Sequence, residues 1–153
     1  MKVSHIALIA ILLIALSACS RRTVFNSYKH TPLSGWEKND TLTFDVSPVS
    51  QDGKYHEEIG LRINTFYPFM GLSLVVEQTI FPLAYTHRDT LNCSLIDENA
   101  TIKGKGVTYF QYNFHLTDID LNQGDSMHIC VRHNMKREIL RGVADVGILL
   151  RRK

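Results

Sequence analysis

Side chains able to hold a metal, a proton or a nucleophile occur throughout this chain, but they fall into no familiar catalytic spacing. There is no GxSxG elbow, HExxH pair, CxxC pair or Walker loop. His115, His128 and His133 lie in late segments with strand character, where two could meet across a sheet to hold zinc. His128 and His133 are five residues apart, which sets them on opposite faces of one strand. No His-x-His pair puts two ligands on one face. The histidines therefore read as scattered surface residues, and no metal site is assigned. Asp45, Glu57, Glu58, Glu77 and Asp118 could in principle supply a glycosidase-type carboxylate pair. Acids are ordinary on the wet face of a strand, so the chain reads as non-enzymatic and without a cofactor. Gly104-Lys105-Gly106 lacks the leading glycine and the following Ser or Thr of a phosphate loop, and reads as a hairpin turn.

The first cysteine has a chemistry of its own. One lysine precedes an unbroken apolar run from Ile6 to Leu16, the layout of a secretory signal. The run is shorter than the roughly 20 apolar residues a spanning helix needs. It ends in Leu16-Ser17-Ala18-Cys19, which is similar to a bacterial lipobox. The expected chemistry is cleavage before Cys19, a thioether from its sulfur to diacylglycerol, and an acyl chain such as palmitate on the new amino group. Each buried CH₂ contributes about 0.8 kcal/mol, and two or more chains anchor stably. Residues 1–18 are thus assigned as a cleaved signal peptide and Cys19 as the lipid attachment site. Cys93 and Cys130 remain. Export permits a disulfide between them if their strands are neighbours with Cα atoms within about 7 Å. Two buried thiols are the preferred alternative.

The elements that position these groups are strands. Residues 19–39 read as a tether containing a first strand at Val24–Tyr28, and 40–153 as the domain. Leu42, Phe44 and Val46 alternate with polar neighbours, as do Ile59, Leu61 and Ile63, and Met127, Ile129 and Val131. Pro48 to Gly53, Asp97 to Ala100 and Asn122 to Asp125 are turns. One departure is expected: Asn134 could cap, and Gly142 end, one or two helical turns over Met135 to Arg141. Short strands with turns every 8–12 residues predict an all-β fold, a single β-sandwich of about eight strands, jelly-roll-like or immunoglobulin-like. With Lys2 removed, 17 − 1 = 16 basic residues face 15 acidic ones, so no nucleic-acid partner is expected. Aromatics offer a recognition surface instead: Trp36, and the loop residues Phe66, Tyr67 and Phe69, with Arg62 beside them.

Several segments together resemble the GldH family of gliding-motility lipoproteins of the Bacteroidota. The resemblance begins with Cys19, then Phe25 and Tyr28, then Trp36 with Asp40 and Phe44. It continues through Leu61-Arg62, Tyr67-Pro68-Phe69 and Leu72. It is strongest at the end, in Met135-Lys136-Arg137, Leu140, Gly142-Val143 and Asp145-Val146-Gly147. It implies an anchored envelope lipoprotein acting through protein contacts in an assembly associated with gliding and type IX secretion. No enzymatic activity is ascribed to the family, and only Cys19 carries over as a functional residue. Ser20-Arg21-Arg22 follows the cysteine in place of the acidic residues of surface-exported lipoproteins in this phylum. That points to the periplasmic face of the outer membrane. The competing expectation is a carbohydrate-binding surface lipoprotein with a jelly-roll domain, stacking Trp36 or Tyr67 on a sugar.

Overall fold

The computed structural model describes residues 22–153; the signal segment and Cys19 lie outside the described residues. The chain answers its period-two patterning with ten strands and, among the described residues, no helix. They are β1 (Thr23–His30), β2 (Trp36–Glu37), β3 (Leu42–Val46), β4 (Gly53–Asn64) and β5 (Gly71–Phe81). Then follow β6 (Tyr85–Ser94), β7 (Tyr109–Leu121), β8 (Ser126–His133), β9 (Ile139–Leu140) and β10 (Val143–Arg152). In β4, Tyr55, Glu57, Ile59, Leu61 and Ile63 turn inward, and His56, Glu58 and Arg62 turn outward. β8 alternates just as strictly.

The long strands form two antiparallel four-stranded sheets, β1-β10-β4-β7 and β3-β8-β5-β6. Leaving out the two-residue strands and renumbering the eight long ones gives orders 1-8-3-6 and 2-7-4-5. That is the double Greek key of a jelly roll and not the immunoglobulin arrangement. The core between the sheets holds Phe44, Tyr55, Ile59, Leu61, Leu74, Met127, Ile129, Ile148 and Leu150 among others. β1 lies where a first strand was expected; it is an edge strand of the first sheet, paired with β10 from Thr23–Arg151 to His30–Asp145.

Register gives the sandwich two ends. Thr23, Arg152, Leu121, Ser126 and the β5–β6 hairpin share one, the tether end. His30, Asn64, Gly71 and His133 share the other, the far end.

Two expectations are corrected. Met135 to Arg141 is not helical: Ile139–Leu140 pairs with Trp36–Glu37. The Lys38 N–H donates to the Glu138 carbonyl at 2.8 Å, and the Asn134 N–H to the Ser73 carbonyl at 2.8 Å. A two-turn helix is marginal alone, and here pairing buries Leu140 while leaving Ile139 outside. His133, expected on the surface, is buried.

Cys93 and Cys130 lie on β6 and β8, which flank β5 on opposite sides. Cys93 faces Leu72 and Cys130 faces Glu77, so their registers differ by five residues, about 17 Å along the strand. Both are free thiols. Burial pushes the Cys93 thiol up to about 12. Maleimide labelling of the native protein should therefore modify Cys130 and spare Cys93 until the protein unfolds. A mass unchanged by reductant should accompany it, and two protected sulfurs would refute this arrangement.

Candidate interaction surface

Asn64 builds the β4–β5 loop. Its side-chain oxygen accepts the Phe66 N–H at 3.0 Å, and its carbonyl accepts the Tyr67 N–H at 3.2 Å. The Tyr67 hydroxyl donates to the Gly71 carbonyl at 2.9 Å, and its ring meets Phe69 edge-on at 5.5 Å. Gly142 lets the loop sit down on β10. Its φ is +90°, and a Cβ there would stand 2.3 Å from the Tyr67 nitrogen. With Tyr67 and Phe69 half-buried as props, Phe66 is held outward, 79% exposed.

Around Phe66 the far end is apolar and basic. Phe66, Pro68, Phe69, Arg137, Ile139 and Arg141 line a cleft of about 360 Å³. The Arg137 guanidinium lies 5.9 Å from the Phe69 ring centre. A second cleft of about 540 Å³ has Leu33, Arg62 and Tyr109 in its wall. Leu33, Met70, Ile139 and Tyr109 are all exposed large apolar side chains. Aromatic, Met and Arg side chains are the types enriched at protein interfaces.

The other expected contact residues are placed differently. Trp36 is fully buried and cannot reach a partner or a sugar. Its indole N–H donates to the Asp40 carbonyl at 3.0 Å, and its ring meets His133 edge-on at 5.3 Å. His133 Nδ1 accepts the Met135 N–H, so its Nε2 carries the proton bonded to the Trp36 carbonyl at 3.2 Å. Burial lowers the pKa of His133 and keeps it neutral. Arg62 is outward but engaged. Its guanidinium lies 4.4 Å over the Tyr28 ring, and its Nε donates to Gln111 at 3.1 Å. Tyr28 lies flat on Gly60 and Gly147, where a Cβ would stand 2.7 and 2.6 Å from its ring carbons. Arg62 thus clamps an aromatic to the sheet, and its Nη1 lies 3.5 Å from the Asp145 carboxylate in the cleft wall.

Of the candidate carboxylates, only Glu58 and Asp118 converge, on the two ring nitrogens of His56 at 3.1 and 3.0 Å. Asp45 binds His128 at 2.6 Å, Glu77 pairs with Arg88, and Glu58 with Arg151 at 2.7 Å. Glu57 points into the core and pairs with Gln78 of the opposite sheet at 2.5 Å. A cluster that the sequence hid lies on the outer face of the first sheet. His56 and His115 stack at 4.5 Å, and His56 bonds Asp118 at 3.0 Å. A bulge opposite Glu57–Glu58 puts His115 and Asp118, three apart, on one face. Lys153 also binds Asp118 and lowers its pKa. The cluster thus carries its own counter-charges.

Comparison with known proteins decides the lineage. Residues 23–150 match the family described as GldH lipoprotein. The chain belongs to this family. The gliding motility lipoprotein GldH of Flavobacterium johnsoniae is 29% identical over 160 residues, covering 100% of this chain and 99% of that protein. As a GldH-family member the chain is a lipid-anchored cell-envelope protein linked to gliding motility. Among solved structures, the glucuronidase BtGH115A is 13% identical with a TM-score of 0.46, over 89% of this chain and 18% of that one. A cellulose-specific carbohydrate-binding module, CBM28, is 9% identical with a TM-score of 0.44, over 80% and 69%. Likenesses this distant carry nothing onto the GldH-type chain beyond themselves.

Proposed function

We propose that this GldH-family protein is a non-enzymatic docking module: a lipid on Cys19 holds it to the membrane, and the Phe66 end binds another envelope protein. The observation that carries the reading is Phe66 itself, held out of the fold by a loop built for the purpose and ringed by Arg137, Arg141 and Ile139. Exposed apolar clusters of this kind mark interaction sites on otherwise ordinary surfaces. The partner belongs to the gliding and type IX secretion assembly, and the protein faces the periplasm from the outer membrane, as the basic Ser20-Arg21-Arg22 stretch suggests.

A photo-crosslinking side chain placed at Phe66 in intact cells should trap one discrete envelope protein, and the same probe at Thr86, by the tether end, should not. Measured as affinity for the trapped protein, Phe66→Ala and Arg137→Glu should each weaken binding by about thirtyfold, the ~2 kcal/mol of an interface anchor. They should leave the unfolding midpoint within about 0.5 kcal/mol, as exposed positions do. Identical adducts from both probes would end the proposal.

A further inference from the structure

The tether end carries an apolar feature that neither the core nor the Phe66 surface uses. The β5–β6 hairpin turns through Phe81-Pro82-Leu83-Ala84-Tyr85, five consecutive apolar or aromatic residues, all exposed. Leu83 at the tip is 85% exposed. No charged residue occurs between Gln78 and Thr86. Below the tip the hairpin is firmly made: Ile80 pairs with Tyr85, and the Thr79 and Thr86 hydroxyls bond at 3.0 Å. An exposed run of three or more apolar residues is an error in a soluble domain unless it has a use.

Chain length says what lies opposite. Thr23 opens β1 at this same end, four residues after Cys19. Four extended residues reach at most about 14 Å. β4, twelve residues long, spans about 40 Å. A lipid on Cys19 therefore keeps the tether end at the bilayer, with the domain either upright or on its side. Lying down on the first sheet would press His56, Glu58, Arg62 and Asp118 against lipid, a costly burial of charge. Standing upright presents Phe81, Leu83 and Tyr85.

We infer that the β5–β6 hairpin tip is a second membrane contact, which inserts Leu83 and its aromatic neighbours into the headgroup–acyl boundary and holds the domain upright. The inference rests on Cys19 as the lipid site. At this end Lys153 is paired with Asp118 and Arg152 donates to the Asp52 backbone carbonyl, while the hairpin tip itself carries no charge, so the tip's own attraction to lipid is apolar. It need not be strong. The anchor already confines the domain to the surface, where a weak second contact acts at high effective concentration. Tyr suits the boundary, with an apolar ring and a polar tip.

The test uses the full lipidated protein in phosphatidylethanolamine–phosphatidylglycerol vesicles with brominated acyl chains. Trp36, the one tryptophan of the chain, is buried and supplies a fixed background. Leu83→Trp adds an indole at the tip, and Leu33→Trp adds one at the far end. The bromolipid should quench the added emission of Leu83→Trp several-fold more than that of Leu33→Trp, and only the former should shift to the blue. Equal, weak quenching in protein that floats with the vesicles overturns the inference and leaves the anchor standing. A blue-shifted but unquenched indole means that protein covers the tip, a second copy included, and also overturns it. Protein that does not float and shows no acyl mass on Cys19 overturns the anchor and the inference together.

Discussion

Between pH 4.5 and 8 the wild-type protein should lose about 3–5 kcal/mol of stability relative to Glu57→Gln. Glu57 sits on the inward row of β4 with Gln78 of β5 as its hydrogen-bonding neighbour. Burial raises its pKa to about 8, against an ordinary 4.5. The direction follows from proton counts. Between these values the folded protein keeps the Glu57 proton and the unfolded chain has released it. The native state binds more protons, so stability falls as pH rises, and the fall stops once native Glu57 ionises near pH 8. Glutamine keeps the shape, carries no proton to lose, and can exchange amide hydrogen bonds with Gln78. Thermal melts of both proteins from pH 4.5 to 9 are the measurement. The wild-type midpoint should drop relative to the variant by roughly 10–20 °C across this range. His133 has its pKa lowered and pushes the other way, gaining stability as pH rises toward the ordinary histidine value. It is common to both proteins and cancels in their difference. Parallel curves would show that Glu57 is not held neutral in the core.

Trp36→Ala should cost about 3–5 kcal/mol, a large share of the 5–15 kcal/mol that holds a domain together. The indole is completely buried, its N–H is bonded to Asp40, and its ring and carbonyl are the partners of His133. Removing it leaves a cavity and a buried imidazole with less packing around it. It also loosens the β2–β9 pair, which places Ile139 in the wall of the Phe66 cleft. Urea unfolding followed by circular dichroism reads the cost directly. Phe66→Ala is the counterpart, since a side chain that touches little in the fold costs little. If Trp36→Ala stays within about 1 kcal/mol of wild type, Trp36 is no keystone of the far end.

These residues also show where sequence reading succeeds and where it stops. The faces of β4 and β8 were legible because a half-buried strand writes itself as alternation. Glu57 was legible in principle: it alternates in step with Tyr55 and Ile59, which marks it as inward despite its charge. Trp36 was misleading because an aromatic beside a turn looks the same whether it plugs the core or greets a partner. Met135 to Arg141 carried helix-end signals, but the segment is recruited as a strand by Trp36–Glu37, roughly a hundred residues away in the chain. The His56–His115 stack needed a bulge, which is a property of two strands in register and of neither alone. Jelly roll and immunoglobulin sandwiches share strand lengths and spacing; they differ in which strands pair, and pairing at long range is not written locally.

The direction of β1 has a mechanical meaning. On the proposed reading, traction applied through a lipid on Cys19 would enter at Thr23, and a load taken up at the Phe66 loop would leave from the opposite end of the sandwich. The line of pull then runs along the strand axis, so the rungs between β1 and β10 are sheared together and do not open one at a time like a zipper. If the proposed anchor and docking end are right, tension between bilayer and partner would load the domain along its most resistant direction.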